Sequence, residues 1–542
     1  MKRPWMKPLS LLAAFILLAG SLAGCQTAPG ASAPATTAPA SAAPEASAEV
    51  TAPEASAPAP QEKVTLSYWY PMWANEAEMM TNENENEVYK ELEKRTGVHI
   101  EFIHPPVAEN ATAYTVLVAS KDLPDIITHE YYVDYPGGPD KAIEDGIYLK
   151  LNDLIDQFAP NYKKLITSDP ELVKETRTDA GNIWCFSMID DRAQEAYMGP
   201  VYRQDWLTKL NLPVPQTMGE VYTTLKAFKD QMSATAPLLM EKGGVFAGTH
   251  LLISAYGVTN NFYNDNGTVK FGPVEDGYKQ YLTTMNKWYK EGLIDPEFPT
   301  KTDLAPDITN GRAGMWNDGF WTWDTWKQKA TDANFEMVAG PYPSLVKGEK
   351  VLFRQQNYRA QQNNTAITST CKNPEAAVKW LDYKYSDEGF ILCNYGIEGK
   401  TFNYDADKKP QYTELMTKNP DGLDFFKAQY KLILGKGPYW RQWDREMFSY
   451  SKKAVDGTFV WHNSGDGSAV IPPYLTMTPQ EGESYNAIMG DITTYVGEQT
   501  VKFIIGEESL DNYQKFLDTI NSMNLSEALK IKQAAFDRYN AR

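Results

Sequence analysis

Between Val64 and Arg542 the chain alternates short apolar runs with longer stretches of helical period. Val64-Thr-Leu-Ser-Tyr-Trp-Tyr70 is rich in β-branched and aromatic residues and predicts a strand. A loop carrying Pro71, Trp73 and Asn75 follows, then a helix over 83–96 with Val88 and Leu92 spaced i, i+4 and Gly97 placed as its C-cap. Val98–Ile103 predicts the next strand, 111–120 a helix, and 125–127 a third short strand. Strand, helix, strand, helix, strand implies an α/β layer with a largely parallel sheet. A second α/β rhythm begins near Tyr202 and includes helices over 218–231 and 277–291. From Tyr404 onward the period is mostly helical, ending in a helix from Ser526 to Tyr539 with Ser526 as its expected N-cap. Asn264-Asp-Asn-Gly267 lacks the carboxylates of a calcium loop and reads as a hairpin turn.

The first 62 residues have a different texture. Lys2, Arg3 and Lys7 precede an apolar run from Leu9 to Leu18, too short to span a bilayer comfortably, and a small-residue exit follows. That exit, Leu22-Ala23-Gly24-Cys25, resembles a bacterial lipobox, which implies cleavage and lipidation at Cys25. Residues 1–25 are therefore expected to be a lipoprotein signal peptide. Residues 26–62, almost entirely Ala, Pro, Ser, Thr, Gly and Glu, are expected to form a disordered tether, with a reach of about 100 Å at roughly 3 Å per residue. The expected location is the extracytoplasmic face of the cell membrane, with the lipid as the only membrane contact.

Composition narrows the partners. The 542 residues carry a formal net charge of −18 without a basic cluster, which argues against nucleic acid. Cys185, Cys371 and Cys393 remain after Cys25. Their odd number leaves at least one thiol free, and no CxxC or CxxH spacing supports zinc. The five histidines form no metal-ligand spacing, and no G-x-S-x-G occurs, so neither metal nor other cofactor is expected.

Several segments, in order, resemble the family 1 extracellular solute-binding proteins, lipoproteins that deliver sugars to ABC importers. They are Asp122-Leu-Pro-Asp-Ile-Ile127, Asp179-Ala-Gly-Asn-Ile-Trp184, Arg203-Gln-Asp-Trp-Leu207 with Leu212-Pro-Val-Pro215, and Gly311-Arg-Ala-Gly-Met-Trp316. Further along come Lys372-Asn-Pro-Glu-Ala-Ala377, Ser386-Asp-Glu-Gly389, Gly396-Ile-Glu-Gly399 and Ala534-Ala-Phe-Asp-Arg-Tyr539. The resemblance implies an α/β, two-lobed periplasmic-binding-protein-like fold (type II), with hinge strands joining the lobes and the ligand cleft between them. The expected division is 63–198 with 352–403 for the N-terminal lobe and 199–351 with 404–542 for the C-terminal lobe. It further implies a monomer that binds an oligosaccharide, closes about its hinge and is read by ABC-transporter permease subunits, and no enzyme activity.

A sugar presents apolar C–H faces and a hydroxyl rim, so its site calls for aromatic plates beside Asp, Asn, Glu and Arg. Trp73, Asn75 and Glu76 follow directly on the first strand. Trp316-Asn-Asp-Gly-Phe-Trp-Thr-Trp323 packs four large rings into eight residues, making Trp316, Trp321 and Trp323 candidate plates and Asp318 a rim partner. Arg203, Arg354, Tyr358, Arg359, Trp440 and Trp461 complete the candidates, and the arginines leave an anionic sugar open. A peptide binder, with fewer stacked rings, and a glycosidase, with two carboxylates across the scissile bond, are the rival readings.

Overall fold

Two separate four-stranded sheets organise the molecule in a computed structural model. It describes residues 64–129, 135–241, 251–361, 364–418, 437–447 and 450–542. All lie in the unit Glu62–Arg542. The signal peptide, Cys25 and the tether fall outside the described residues, and no helix among those described is long and apolar enough to cross a membrane.

In the first sheet, Val64–Trp69 is central, flanked by parallel strands Val98–Ile103 and Ile126–His129, with Asn364–Ile367 antiparallel at the edge. Tyr68 lies opposite Phe102 and Ile126, and its buried hydroxyl meets Thr128 at 2.5 Å. Helix Glu87–Thr96 packs Val88 and Leu92 against this layer and ends on Gly97 at φ 72°, a left-handed cap that suits glycine. It begins later than its periodicity predicts. Asn86 breaks the segment by accepting from Val88 N, leaving Glu83–Glu85 as a separate 3-10 turn.

The second sheet runs Met337–Ala339, Met198–Arg203, Ala313–Gly319, Ala236–Leu238, with the last pair parallel. Helix Met218–Met232 covers it, opened by a capping box in which Thr217 and Glu220 satisfy each other's backbone amides. Asn264–Gly267 makes the expected hairpin turn, joining Phe262–Asp265 to Thr268–Phe271. The long helix Pro479–Ile505 and the C-terminal helix Leu525–Asn540 complete the molecule. The last helix has Asn524, at φ 67°, as its N-cap residue, two residues ahead of the expected Ser526. All three described cysteines are buried free thiols. This is a two-lobed α/β fold.

Candidate functional site

The sheets are joined where three chain segments meet. Ile189–Asp190 pairs in parallel with Trp440–Arg441, and Ile189 also bridges antiparallel to Ala360. Main-chain bonds from Ile189 N to Tyr439 O (3.0 Å), Asp190 N to Arg359 O (2.8 Å) and Asp191 N to Arg441 O (2.9 Å) stitch the crossing.

A fully buried ion pair holds its centre. Arg441 Nε and Nη2 donate to the two Asp190 oxygens at 2.5 and 2.8 Å, and both residues are 0% exposed. Gln361 Nε2 adds a bond at 2.9 Å, and Gln194 donates to the same carboxylate. Burying two charges costs several kcal/mol each, about, and is tolerated where a bidentate geometry and extra donors satisfy them. Arg359 clamps the same point, donating to Asp190 O at 3.1 Å, Asp191 O at 3.3 Å and the Asp169 carboxylate at 3.0 Å. Ala360 N donates to Glu175 Oε2 at 2.7 Å, and Tyr474 donates to Ala360 O. Burial pushes the Glu175 carboxyl up to about 8. Tyr358, half-buried, meets Tyr474 edge-on at 5.6 Å.

One step along, side-chain amides link the outgoing and returning segments. Gln355 Oε1 accepts from Tyr197 N (2.8 Å), Gln355 Nε2 donates to Asn357 Oδ1 (2.6 Å), and Asn357 Nδ2 donates to Glu195 O (2.8 Å). Tyr342 donates to Met198 O at 2.8 Å. Beside this network lies an aromatic pair, Tyr197 and Trp321, with centroids 5.5 Å apart and both rings half-buried. Trp321 lies against Gly319, where a Cβ would come within 2.4 Å of the indole. A glycine is therefore required for that ring's position.

The predicted site residues divide sharply. Trp321, Tyr358, Arg359 and Trp440 keep exposed surface at or beside the crossing, Trp440 packing on Phe390 at 4.5 Å. Trp73 is half-buried at the N-cap of helix Ala74–Met79, its N–H bonded to the buried Glu76 carboxylate at 2.6 Å. The Asn75 side chain lies outside the described residues. No described contact joins this loop to the crossing.

Six expectations are corrected by burial. Trp316 is 0% exposed and donates to Asp318 at 2.7 Å. Asp318 is no hydroxyl partner at a rim: Trp316, Trp326, Thr322 and Gly319 N all donate to it, and burial raises its pKa despite them. Trp323 and Trp461 pack edge-to-face at 6.0 Å in the second-lobe core, with Trp461 Nε1 donating to Pro200 O at 3.0 Å. Arg203, 0% exposed, is sandwiched between Trp206 and Phe335 and donates through Nε and Nη2 to Asp205 at 2.9 and 2.7 Å and through Nη2 to Asp332 at 3.0 Å, so it is a packed core group rather than a ligand contact. Arg354, 7% exposed, donates to Gly465 O and Gln355 O at 3.1 and 3.0 Å, and acts as a strut. Sequence reasoning missed Asp190, Glu195, Tyr197, Gln355, Asn357 and Arg441. Nothing in their spacing distinguishes them from other polar residues.

The model of the bacterial extracellular solute-binding protein family matches residues 81–389, more than half of the chain. The chain belongs to that family. This solute-binding protein is 25% identical over 515 residues to the fructooligosaccharide ABC transporter substrate-binding protein FusA of Streptococcus pneumoniae, covering 89% of this chain and 91% of the relative. It is 24% identical to the lipoprotein LipO of Bacillus subtilis, covering 77% of this chain and 82% of that one. Among solved structures, the alginate-binding protein AlgQ2 without calcium ion superimposes with a TM-score of 0.72 at 25% identity, over 88% of this chain and 98% of the other. The family is one of binding proteins, and its function is extracytoplasmic.

Proposed function

We propose that this solute-binding protein captures an oligosaccharide between its lobes and delivers it to an ABC importer. The observation that carries this reading is the half-exposed Trp321–Tyr197 pair beside the three-segment crossing, a stacking surface next to a hinge. Carbohydrate names among the relatives, fructooligosaccharide and alginate, support it. Trp321 stacks on a sugar face, while Tyr358, Arg359, Trp440 and the loop of Trp73 and Asn75 contribute rim contacts as the lobes close; Glu76, buried against Trp73 N, holds that loop in shape. A ligand touching both lobes only in the closed form shifts the open–closed equilibrium by its differential affinity.

The N-terminal lobe is proposed to comprise 63–198 with 352–403, and the C-terminal lobe 199–351 with 404–542. Lipidation at Cys25, a tether over 26–62, a monomeric state, permease subunits as readers of the closed form and the absence of catalysis belong to the same proposal.

Intrinsic tryptophan fluorescence of the chain from Glu62, titrated with fructo-, algino- and other oligosaccharides, tests it. A saturable change with the sugar recovered intact supports the reading. Cleaved sugar in the tube would make the protein an enzyme, and silence across the panel would point to peptides or other solutes.

A further inference from the structure

A cavity of about 270 Å³ lies apart from the aromatic pair, behind the start of the returning crossing segment. Its walls come from three places. The run Thr259–Tyr263 leads into the hairpin, Phe353 opens the returning segment, and Val470–Pro473 leads straight to Tyr474, which bonds the crossing at Ala360 O. Tyr263 and Phe353 meet edge-to-face at 5.4 Å and give the cavity an aromatic wall. Asn261 uses its carbonyl oxygen on Phe262 N.

From the C-terminal helix, Lys532 enters the same cavity. Among the described residues, its ammonium forms no ion pair or hydrogen bond. Its one described partner is the Tyr485 ring, 5.6 Å away. A half-buried ammonium in a concave, partly apolar site without a counter-ion is costly, and an incoming anion relieves that cost. Burial without any neighbouring carboxylate lowers its pKa to about 8.

We propose that this cavity is a second ligand site, taking a single carboxylate-bearing ring of monosaccharide size, a uronate, with its carboxylate on Lys532 and its C–H face on the Tyr263–Phe353 wall. Amide side chains at Asn260 and Asn261 lie where ring hydroxyls need partners. The volume admits one sugar ring and no oligosaccharide, so the site is separate from the proposed cleft. Because Phe353 and Pro473 each continue directly into the crossing, an occupant bears on the hinge.

Calorimetry on the full chain with D-glucuronate, and with D-glucose as its neutral twin, tests this. Glucuronate is expected to bind saturably at pH 7, at least tenfold tighter than glucose. Lys532→Met is expected to weaken it at least tenfold, and Trp321→Ala to leave it unchanged. The other titratable groups at the cavity, Tyr263 and Tyr485, have phenols raised by burial, so weakening between pH 7 and pH 9 in the wild type reports on Lys532. That arm decides the matter should Lys532→Met fold poorly. No saturable glucuronate binding, equal binding of glucose, or unchanged affinity in Lys532→Met or at pH 9 overturns the proposal. Loss in Trp321→Ala with retention in Lys532→Met would assign glucuronate to the cleft instead, leaving the proposed function standing.

Discussion

Lys384 is 0% exposed, and its ammonium has Trp380 beneath it at 4.1 Å and no hydrogen-bond acceptor. The nearby Cys393 thiol is itself pushed up to about 12 and stays neutral, so it offers no counter-charge. Burial lowers the Lys384 pKa from 10.5 to about 7. Between those values the unfolded chain holds a proton that the folded chain has shed, so stability climbs as pH rises through that window. At pH 7 the folded state bears nearly the whole cost, a few kcal/mol at roughly 1.4 kcal/mol per unit, offset by about 1 kcal/mol of cation–π attraction. Lys384→Met should therefore melt several degrees higher at pH 7, with a gain that shrinks toward pH 10; thermal melts across that range check it, and an unchanged or lower Tm at pH 7 contradicts it. Glu175 has the opposite sign. Its carboxyl, raised from 4.5 to about 8, is protonated in the folded state while the unfolded chain has ionised. Stability thus falls as pH rises from about 4.5 to 8. Glu175→Gln should lose less stability than the wild type between pH 5 and pH 7 in chemical denaturation, and parallel losses would refute the assignment.

Elements with local signals were legible from the chain. Gly97 stops its helix because a left-handed cap needs no side chain there, and Asn266-Gly267 turns the hairpin at φ 52° and 95°. The crossing was not legible, because its pairs join residues 189–190, 360 and 440–441, and no local period encodes contacts across such distances. Asp190-Asp191 looks like a chance acidic pair until Arg441 arrives from 251 residues away. A buried pair broken on one side strands a charge, at a cost of about 3–5 kcal/mol, whereas replacing both partners by apolar groups is often neutral. Asp190→Leu and Arg441→Met are each expected to lower stability by about that much, with the double variant recovering much of the loss. Urea titrations of all three variants measure the coupling, and additive losses would show that the pair does not act as a unit.

At the scale of the whole molecule, the aromatic loop 316–323 separates into rings that build a lobe and a ring left beside the hinge. Four large side chains in eight residues signal a special segment, but which of them meets solvent depends on two glycines far apart in function. Gly199 lets Trp461 approach to where a Cβ would be 2.4 Å away, which draws Trp323 into the core with it. Gly319 does the same for Trp321, yet leaves that indole half-exposed against Tyr197. The two tryptophans, two residues apart, should therefore respond to truncation in opposite ways. Trp323→Ala removes a ring that is 2% exposed and should cost about 3–5 kcal/mol of stability. Trp321→Ala should leave the Tm of the free protein within a few degrees of wild type and weaken oligosaccharide binding at least tenfold, because sugar stacking is lost while the core is untouched. Melting curves and binding titrations on the same two preparations decide it. A Trp321→Ala protein that binds its sugar as tightly as wild type would move the stacking surface to another exposed ring at the crossing, Trp440 first, and leave the hinge itself in place.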